Sequence, residues 1–435
     1  MEQHVCPIIG IGFGPANLSL AVRLEELGCL ADAHFIERSD RFQWQDEQLL
    51  PGTDIQNNPF RDLVMPRNQD SPHTFVKYLA SRGALTDYLH LNAKFPLRRE
   101  YADYLAWVAD SFADSVDYGH GAAQLTLVDD QDEGELFSVE TEDGRRHLGR
   151  SVIVGTGRSP RVPHPFPASM GDTVFHSSRY LSSISALAQK DVRAVVVGAS
   201  QSAIEIVLDL LQRPNVRHVT SVHRSIGFRL KDTSPYSRQV FLPEFVDYFH
   251  PLPTAAKRRL RAELRSINYA ACDQDVIDRL VGIQREYELI GSDRLRLAPF
   301  TEVTGIETSS DGSHRLAVQD INHLTHDTID ADVVILATGF RDFGIGPGDE
   351  PYHPLLEDVA HRLPLDDEGV PSVGRDYAID LKAPEGARPL KIYLNGLCEA
   401  SHGMGDAGAL AMLSARASDI AASLLASDLR ERAMR

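Results

Sequence analysis

The sequence contains no C-x-x-C pair. Its four cysteines, Cys6, Cys29, Cys272 and Cys398, stand far apart. That spacing excludes a dithiol–disulfide reductase and a cysteine zinc site, suits a reducing compartment, and leaves no metal ligand set to read. Long apolar runs are also missing; none approaches the roughly 18 residues of a membrane span. Residues 1–10 show no basic stretch followed by an apolar core, so a secretory leader is not expected and a cytoplasmic setting is. Positive charge is in deficit. Lys and Arg number 44 against 62 Asp and Glu, a formal charge of −18, which disfavours nucleic acid and anionic membranes as partners. The 435 residues suffice for two or three domains with cores of their own.

What is present begins with Ile8-Ile9-Gly10-Ile11-Gly12-Phe13-Gly14-Pro15-Ala16-Asn17. An apolar strand runs into a glycine-rich turn and then a helix from Ala16 to Leu27. Gly10 is expected to permit the tight turn and Gly12 to let a pyrophosphate approach the backbone. The helix start, with Gly14 and with Pro15 in place of the third glycine, offers free N–H groups. A second strand, Ala33 to Glu37, places Glu37 where an acid binds a ribose hydroxyl, about 20 residues past the glycines. Next come Arg41 to Gln45, including Trp44, and an irregular loop from Asp54 to Val64 whose amides, Arg61 and aromatic could line a flavin. Helices are expected over 71–79 and 98–112, and strands over 125–128 and 136–140.

Arg150 to Gly157 is a buried strand ending in Thr-Gly, and Asp332 to Phe340, with Thr338 and Gly339, echoes it. Such pairs are expected where a chain crosses between two dinucleotide-binding domains. Between them lies a second fingerprint, Ala194 to Ala203. Gly198, Ser200 and Ala203 hold the glycine positions, and Gln201 and Ser202 open a helix. The strand that follows ends in Arg224 where an acid would stand, which favours the 2′-phosphate of NADP over NAD. Residues 231–290 read as a helical insertion, with helices near 253–268 and 274–290. Lys391 to Gly396 reads as a strand, Ser401 to Asp406, including Gly403, as a glycine turn, and Ala409 to Leu425 as a helix.

The expected architecture is α/β, with two Rossmann-like dinucleotide-binding domains, the second inserted in the first, and a small helical substrate-binding insertion. The FAD-binding domain spans 1–171 and 336–435, the NADPH-binding domain 172–230 and 291–335, and the insertion 231–290. Two nucleotide sites in one chain carry hydride from NADPH to a flavin. The flavin then passes electrons to a disulfide, to a protein partner or to oxygen. The first needs the absent cysteine pair; the other two stay open.

Seven ordered motifs carry a resemblance. They are Gly10 to Asn17, the loop Gln56 to Arg67, Gly198 to Ala203, Ser234-Pro235-Tyr236 with Val240-Phe241, Ile267-Asn268-Tyr269, Ala337 to Phe340, and Ala400 to Gly403. Over nearly the full length the sequence resembles the microbial N-hydroxylating flavin monooxygenases, the ornithine and lysine N-monooxygenases of siderophore assembly. The resemblance implies that NADPH reduces FAD, that oxygen forms a C4a-hydroperoxyflavin, and that a neutral primary amine attacks it. The protein need only exclude water and orient the amine. Gln56 would line the flavin and Asn268 would sit beside NADP and substrate. The resemblance also implies a homo-oligomer.

The sequence departs from that family at the substrate positions. Where the ornithine enzymes have a carboxylate-binding lysine, Arg61 stands here; where they have an asparagine, Arg238 does. Their substrate-holding serine, in Leu-Ser-Asp-Thr-Leu-Leu-Ser, has no counterpart at Leu410 or Ala411. Two guanidinium forks suit two carboxylates. The expected substrate is therefore L-aspartate, hydroxylated at its α-amine and oxidised onward to nitrosuccinate. The alternatives are L-ornithine, L-lysine or a diamine, or an electron-transfer flavoprotein.

Overall fold

The computed structural model describes residues 5–91, 93–131, 133–383 and 389–434. In chain order the strands are β1 (Val5–Ile11), β2 (Ala33–Glu37), β3 (Val116–Tyr118), β4 (Ala122–Asp130), β5 (Gly134–Thr141) and β6 (Arg146–Val154). Then come β7 (Val174–His176), β8 (Val192–Val197), β9 (Val216–Val222), β10 (Leu295–Ala298), β11 (Thr301–Thr308), β12 (His314–Asp320), β13 (His326–Ala331), β14 (Val333–Leu336), β15 (Ala378–Asp380) and β16 (Lys391–Leu394). An eight-stranded sheet has the order β15-β16-β6-β1-β2-β3, with β4 and β5 attached as an antiparallel extension of β6. A five-stranded parallel sheet has the order β10-β9-β8-β14-β7. The α/β fold expected from the sequence is present, with one all-parallel sheet and one sheet that is parallel from β16 to β3 and antiparallel at β15, β4 and β5. The strands of the second sheet lie, in sequence, between β6 and β15 of the first.

In the first sheet β1 pairs parallel with β2, and Gly10 falls directly opposite Phe35. A Cβ on Gly10 would lie 2.1 Å from Phe35 Cδ1, so only glycine lets the two strands pack. This corrects the expectation that Gly10 serves the turn; the turn belongs to Gly12, at φ +82°. The helix Pro15–Glu26 follows at once, with Pro15 at its first position. A proline there gives up no hydrogen bond, because a first-turn N–H has no partner within the helix.

In the second sheet β8 is almost wholly apolar, as a strand covered on both faces requires. It leads into the helix Gln201–Gln212. Residues 231–290 do form a mostly helical excursion between β9 and β10. It holds Pro243–Phe249, Thr254–Glu263 and Gln274–Ile290, the first of which the sequence did not announce. The helix expected to reach residue 268 stops at Glu263. The one expected over 71–79 starts at Phe75, where Thr74 Oγ1 accepts the Lys77 N–H at 3.2 Å. The one expected over 98–112 ends as α-helix at Ala109.

The last helix begins at Leu413 rather than Ala409. Ala409, at φ −121° and ψ 131°, is extended, and Leu410–Met412 form a 3-10 turn ahead of the helix. The antiparallel sheet β11-β12-β13 was also unannounced. On β12, buried His314, Leu316 and Val318 alternate with exposed residues, the period of a half-buried strand. No helix among the described residues is long and apolar enough to cross a membrane.

Candidate active site

One cleft of about 1700 Å³ runs between the two larger sheets and the helical excursion. Both glycine-rich turns open onto it. Gly12 takes a conformation that side chains rarely adopt, and a Cβ there would lie 2.9 Å from Gly155 O. Gly198, at φ +141°, would place a Cβ 2.3 Å from Ala337 O. The helices that follow have Gly14 and Ser200 as N-caps, and neither cap makes a side-chain hydrogen bond. Their first-turn N–H groups, with the positive dipole ends, are therefore free for anions on the cleft side.

The chain crosses between the sheets twice, and the two crossings pair with each other. Arg161 N donates to Gly339 O and Arg341 N to Ser159 O, each at 2.9 Å. Buried His176 braces the join, with Nε2 2.9 Å from Gly339 O. A second tie is ionic. Arg98 meets Glu205 at 2.9 Å, and both are buried. Sequence inspection missed this pair because each residue taken alone reads as helix surface.

Glu37, at the end of β2, lines the cleft. Its carboxylate accepts the Phe13 N–H at 2.7 Å and the Ser39 N–H at 2.9 Å, so it also ties the glycine turn to β2. Trp44, Gly14, Pro15, Ser200, Gln201, Ser202, Thr338 and Gly339 line the cleft too. The side chain of Gln201 is committed to Glu205 and the Asp273 N–H, so only its main chain remains for a nucleotide. Arg224 stands at the rim, 68 % exposed, with Glu302 3.8 Å away. Gly403 does not line the cleft. A Cβ on it would lie 3.0 Å from the Phe245 ring, so it lets the helical excursion pack closely while Met404 faces the cleft.

Gln56 and Arg61 of one loop, and Arg238 and Asn268 from the helical excursion, all line this cleft. Gln56 has left-handed backbone geometry, φ +53°. Its Oε1 accepts from Lys231 Nζ at 2.8 Å, while its buried Nε2 has no partner. The lysine thus orients the amide and leaves its donor uncommitted. Burial pulls the Lys231 ammonium below its usual range.

Asp62, next to Arg61, does not pair with it, because Asp62 accepts the N–H groups of Val64, Met65 and Phe75 at 2.8–2.9 Å. Those three bonds hold the irregular loop in shape. Likewise Asp232 is taken up by Ser234 and Ser237. Among the described residues neither Arg61 nor Arg238 has a carboxylate within ion-pair distance. Burial, and then the proximity of Arg238, lowers the Arg61 guanidinium below its usual range. Two half-buried cations within electrostatic range of each other, neither in an ion pair among the described residues, suit an anion.

A charged cluster closes one wall. Arg158 Nη1 and Arg261 Nη2 each bind a different oxygen of Asp342, at 2.7 and 2.8 Å. Both also stand 3.8 Å from Glu399, which is 2 % exposed. Tyr269 donates a short hydrogen bond to Glu399. Burial, with Asp342 nearby, holds the Glu399 carboxyl up at about 8. Tyr269 lies inside a quoted motif but was given no role, and sequence reading passed over Arg158 and Glu399 although they abut quoted motifs: Arg158 follows Thr156-Gly157 and Glu399 precedes Ala400. Away from the cleft, His34, Asp117 and His147 bring three ligand-type atoms within 4.8 Å of one another. His34 Nε2 and an Asp117 carboxylate oxygen already stand 3.0 Å apart.

The family model of the L-lysine 6-monooxygenases and L-ornithine 5-monooxygenases matches residues 4–342. The chain belongs to this family. It is 36 % identical over 414 residues to the L-ornithine N(5)-monooxygenase of Burkholderia cepacia, covering 92 % of this chain and 90 % of that one. Among solved structures, an ornithine N-hydroxylase of Kutzneria sp. 744, with reduced FAD, NADP⁺ and L-ornithine, superposes with a TM-score of 0.87. It is 31 % identical and covers 98 % of this chain and 100 % of that one. The L-lysine 6-monooxygenase of Pseudomonas syringae gives a TM-score of 0.84 at 33 % identity, covering 97 % and 99 %. As a member of this family the monooxygenase is an amino-acid N-hydroxylase, and the electron-transfer alternative is set aside.

Proposed function

We propose that this monooxygenase uses FAD, NADPH and O₂ to hydroxylate the side-chain amine of L-ornithine or L-lysine. The observation that carries the reading is the convergence, on one cleft, of two uncapped helix starts with the uncommitted Gln56 amide and Asn268. The turn at Gly12, with Glu37, fits the pyrophosphate and ribose of FAD, and the parts 1–171 and 336–435 would hold it. The turn at Gly198, with Ser200, Ser202 and the rim residue Arg224, fits NADPH, held by 172–230 and 291–335. When bound, the two cofactors supply the reducing equivalents and activate oxygen. The chain's own residues do the rest. Arg61 and Arg238 bind the substrate carboxylate, Asn268 orients the amine, Gln56 donates toward the reacting centre, and the helical excursion keeps water out. A cytoplasmic setting and self-association are part of the same proposal.

The relatives named above favour ornithine or lysine over the aspartate expected from the sequence. One observation keeps a second reading. Among the described residues neither Arg61 nor Arg238 makes an ion pair, and a dicarboxylic amino acid such as L-aspartate would neutralise both. The test is an amine screen of the purified holoenzyme with NADPH, following oxygen uptake and identifying products. Ornithine or lysine should yield a hydroxylamine. A nitro or hydroxylamino product from aspartate alone would transfer the assignment to the second reading, and no N-oxidised product from any amine would overturn both.

A further inference from the structure

An amine attacks only as its free base. Near pH 7.5 an alkylammonium with a pKa of about 10 is neutral in well under 1 % of molecules. An acceptor for that proton in the cleft would let the enzyme use the abundant ammonium form as well. The carboxyls lining it differ in what already holds them. Glu37 is bound by two backbone N–H groups. Asp406 is paired with buried Arg416 at 2.8 Å, and Asp342 gives one oxygen to each of two arginines. Asp54, Asp46, Glu47 and Asp349 accept the N–H groups of Gln56, Trp44, Ser182 and Gly346, and Glu302 lies at the rim by Arg224. Glu399 is different. Both its arginine neighbours are spent on Asp342 and stand 3.8 Å off, and its close partner is the Tyr269 hydroxyl. A methyl group placed on Gly408 would lie 3.7 Å from that hydroxyl and 4.0 Å from Asn268 Nδ2, so phenol and amide face the same small volume.

We propose that Glu399, reached through the Tyr269 hydroxyl, accepts the proton that the substrate ammonium must lose. The inference rests on the N-hydroxylase reading above. Written out, R–NH₃⁺ and the Glu399 carboxylate become R–NH₂ and the Glu399 carboxylic acid. The overall reaction, R–NH₃⁺ + O₂ + NADPH → R–NHOH + H₂O + NADP⁺, releases no net proton. The proton taken from the amine is the one that the departing water requires, so Glu399 holds it during turnover and returns it. The titratable and charged groups facing Glu399 are Asp342, Arg158, Arg261 and Tyr269. Asp342 and burial raise its affinity for a proton, while the two arginines and the phenol lower it. The resulting value of about 8 suits a group that must both take and give a proton near neutral pH.

The test is the pH profile of kcat/KM for the amine, measured as hydroxylamine formed, in the wild type and in Glu399→Gln. The wild-type profile should rise with pH and level off above about 8. In Glu399→Gln the only usable amine is the fraction already neutral in solution. Its kcat/KM should be at least tenfold lower at pH 7.5 and should climb about tenfold per pH unit to pH 9 without levelling. Tyr269→Phe should show the same alkaline rescue, and it decides the matter if Glu399→Gln does not retain FAD. A wild-type profile in the variants, or a loss equal at every pH, overturns the assignment of Glu399 while leaving the N-hydroxylase reading intact. Absence of any hydroxylamine from the wild type overturns that reading itself.

Discussion

Gly10 offers a sharp test of what the first fingerprint does. A Cβ added there would sit 2.1 Å from Phe35 Cδ1 and 2.6 Å from Cε1, whereas carbons rest at about 3.5–4.0 Å. The Phe35 ring has no room to retreat. It is 0 % exposed and lies against Phe13 with ring centroids 5.0 Å apart. Gly10→Ala should therefore cost the upper part of the usual overpacking range, about 3 kcal/mol. Phe35→Val deletes both clashing atoms and keeps a β-branched residue in the strand; alone it should cost about 2 kcal/mol through the cavity it leaves.

Together the two changes should cost less than their sum by about 1–3 kcal/mol, because the clash has gone. The measurement is a double-mutant cycle on denaturant midpoints, with the flavin absorbance of each purified protein beside it. Restored stability and yellow colour in the double variant would mark Gly10 as a packing residue. Additive losses, or stability restored without flavin, would refute the packing argument and return Gly10 to the phosphate.

Arg416 is 2 % exposed and binds Asp406 and Asn395, the latter joined through Asn17 to the Gly12 carbonyl. Arg416→Met strands a buried carboxylate and should cost about 3–5 kcal/mol in a urea melt; a loss under about 1 kcal/mol would contradict the network. Burial pushes His353 down to about 4, below its unfolded value of about 6.5, so the unfolded chain takes up the proton first and stability falls as pH drops from about 6.5 toward 4. His353→Gln should flatten that fall between pH 7 and 5, and an unchanged slope would locate the acid sensitivity elsewhere. Arg238→Ala should raise KM for the amino acid about 10- to 100-fold, the worth of a charged hydrogen bond, and leave flavin reduction by NADPH less affected. An unchanged KM would remove Arg238 from the substrate pocket.

Local physics made much of this chain readable. Val5–Ile11 into Pro15–Glu26, and Val192–Val197 into Gln201–Gln212, are runs in which apolar content, glycine punctuation and helix starts all agree within about 20 residues. The two Thr-Gly crossings were legible for the same reason, since each is a buried strand with an abrupt end. The sheet β11-β12-β13 went unread although β12 carries a period of two, because its neighbours are exposed and polar. The start of the last helix was misplaced because Leu410 is as good a helix former as Leu413, and the glycines before it take their meaning from what they pack against.

By itself the sequence determined the α/β architecture, the two glycine-rich turns and the residue types at the proposed substrate positions. These depend on contacts between near neighbours in the chain. Tertiary structure alone decided which charges remain available. Asp62 is adjacent to Arg61 but is consumed by three backbone N–H groups. Glu399 lies more than a hundred residues from Tyr269 yet becomes its partner. A charged group's chemistry is set by what desolvates and neutralises it, and in this fold those groups arrive from other parts of the chain.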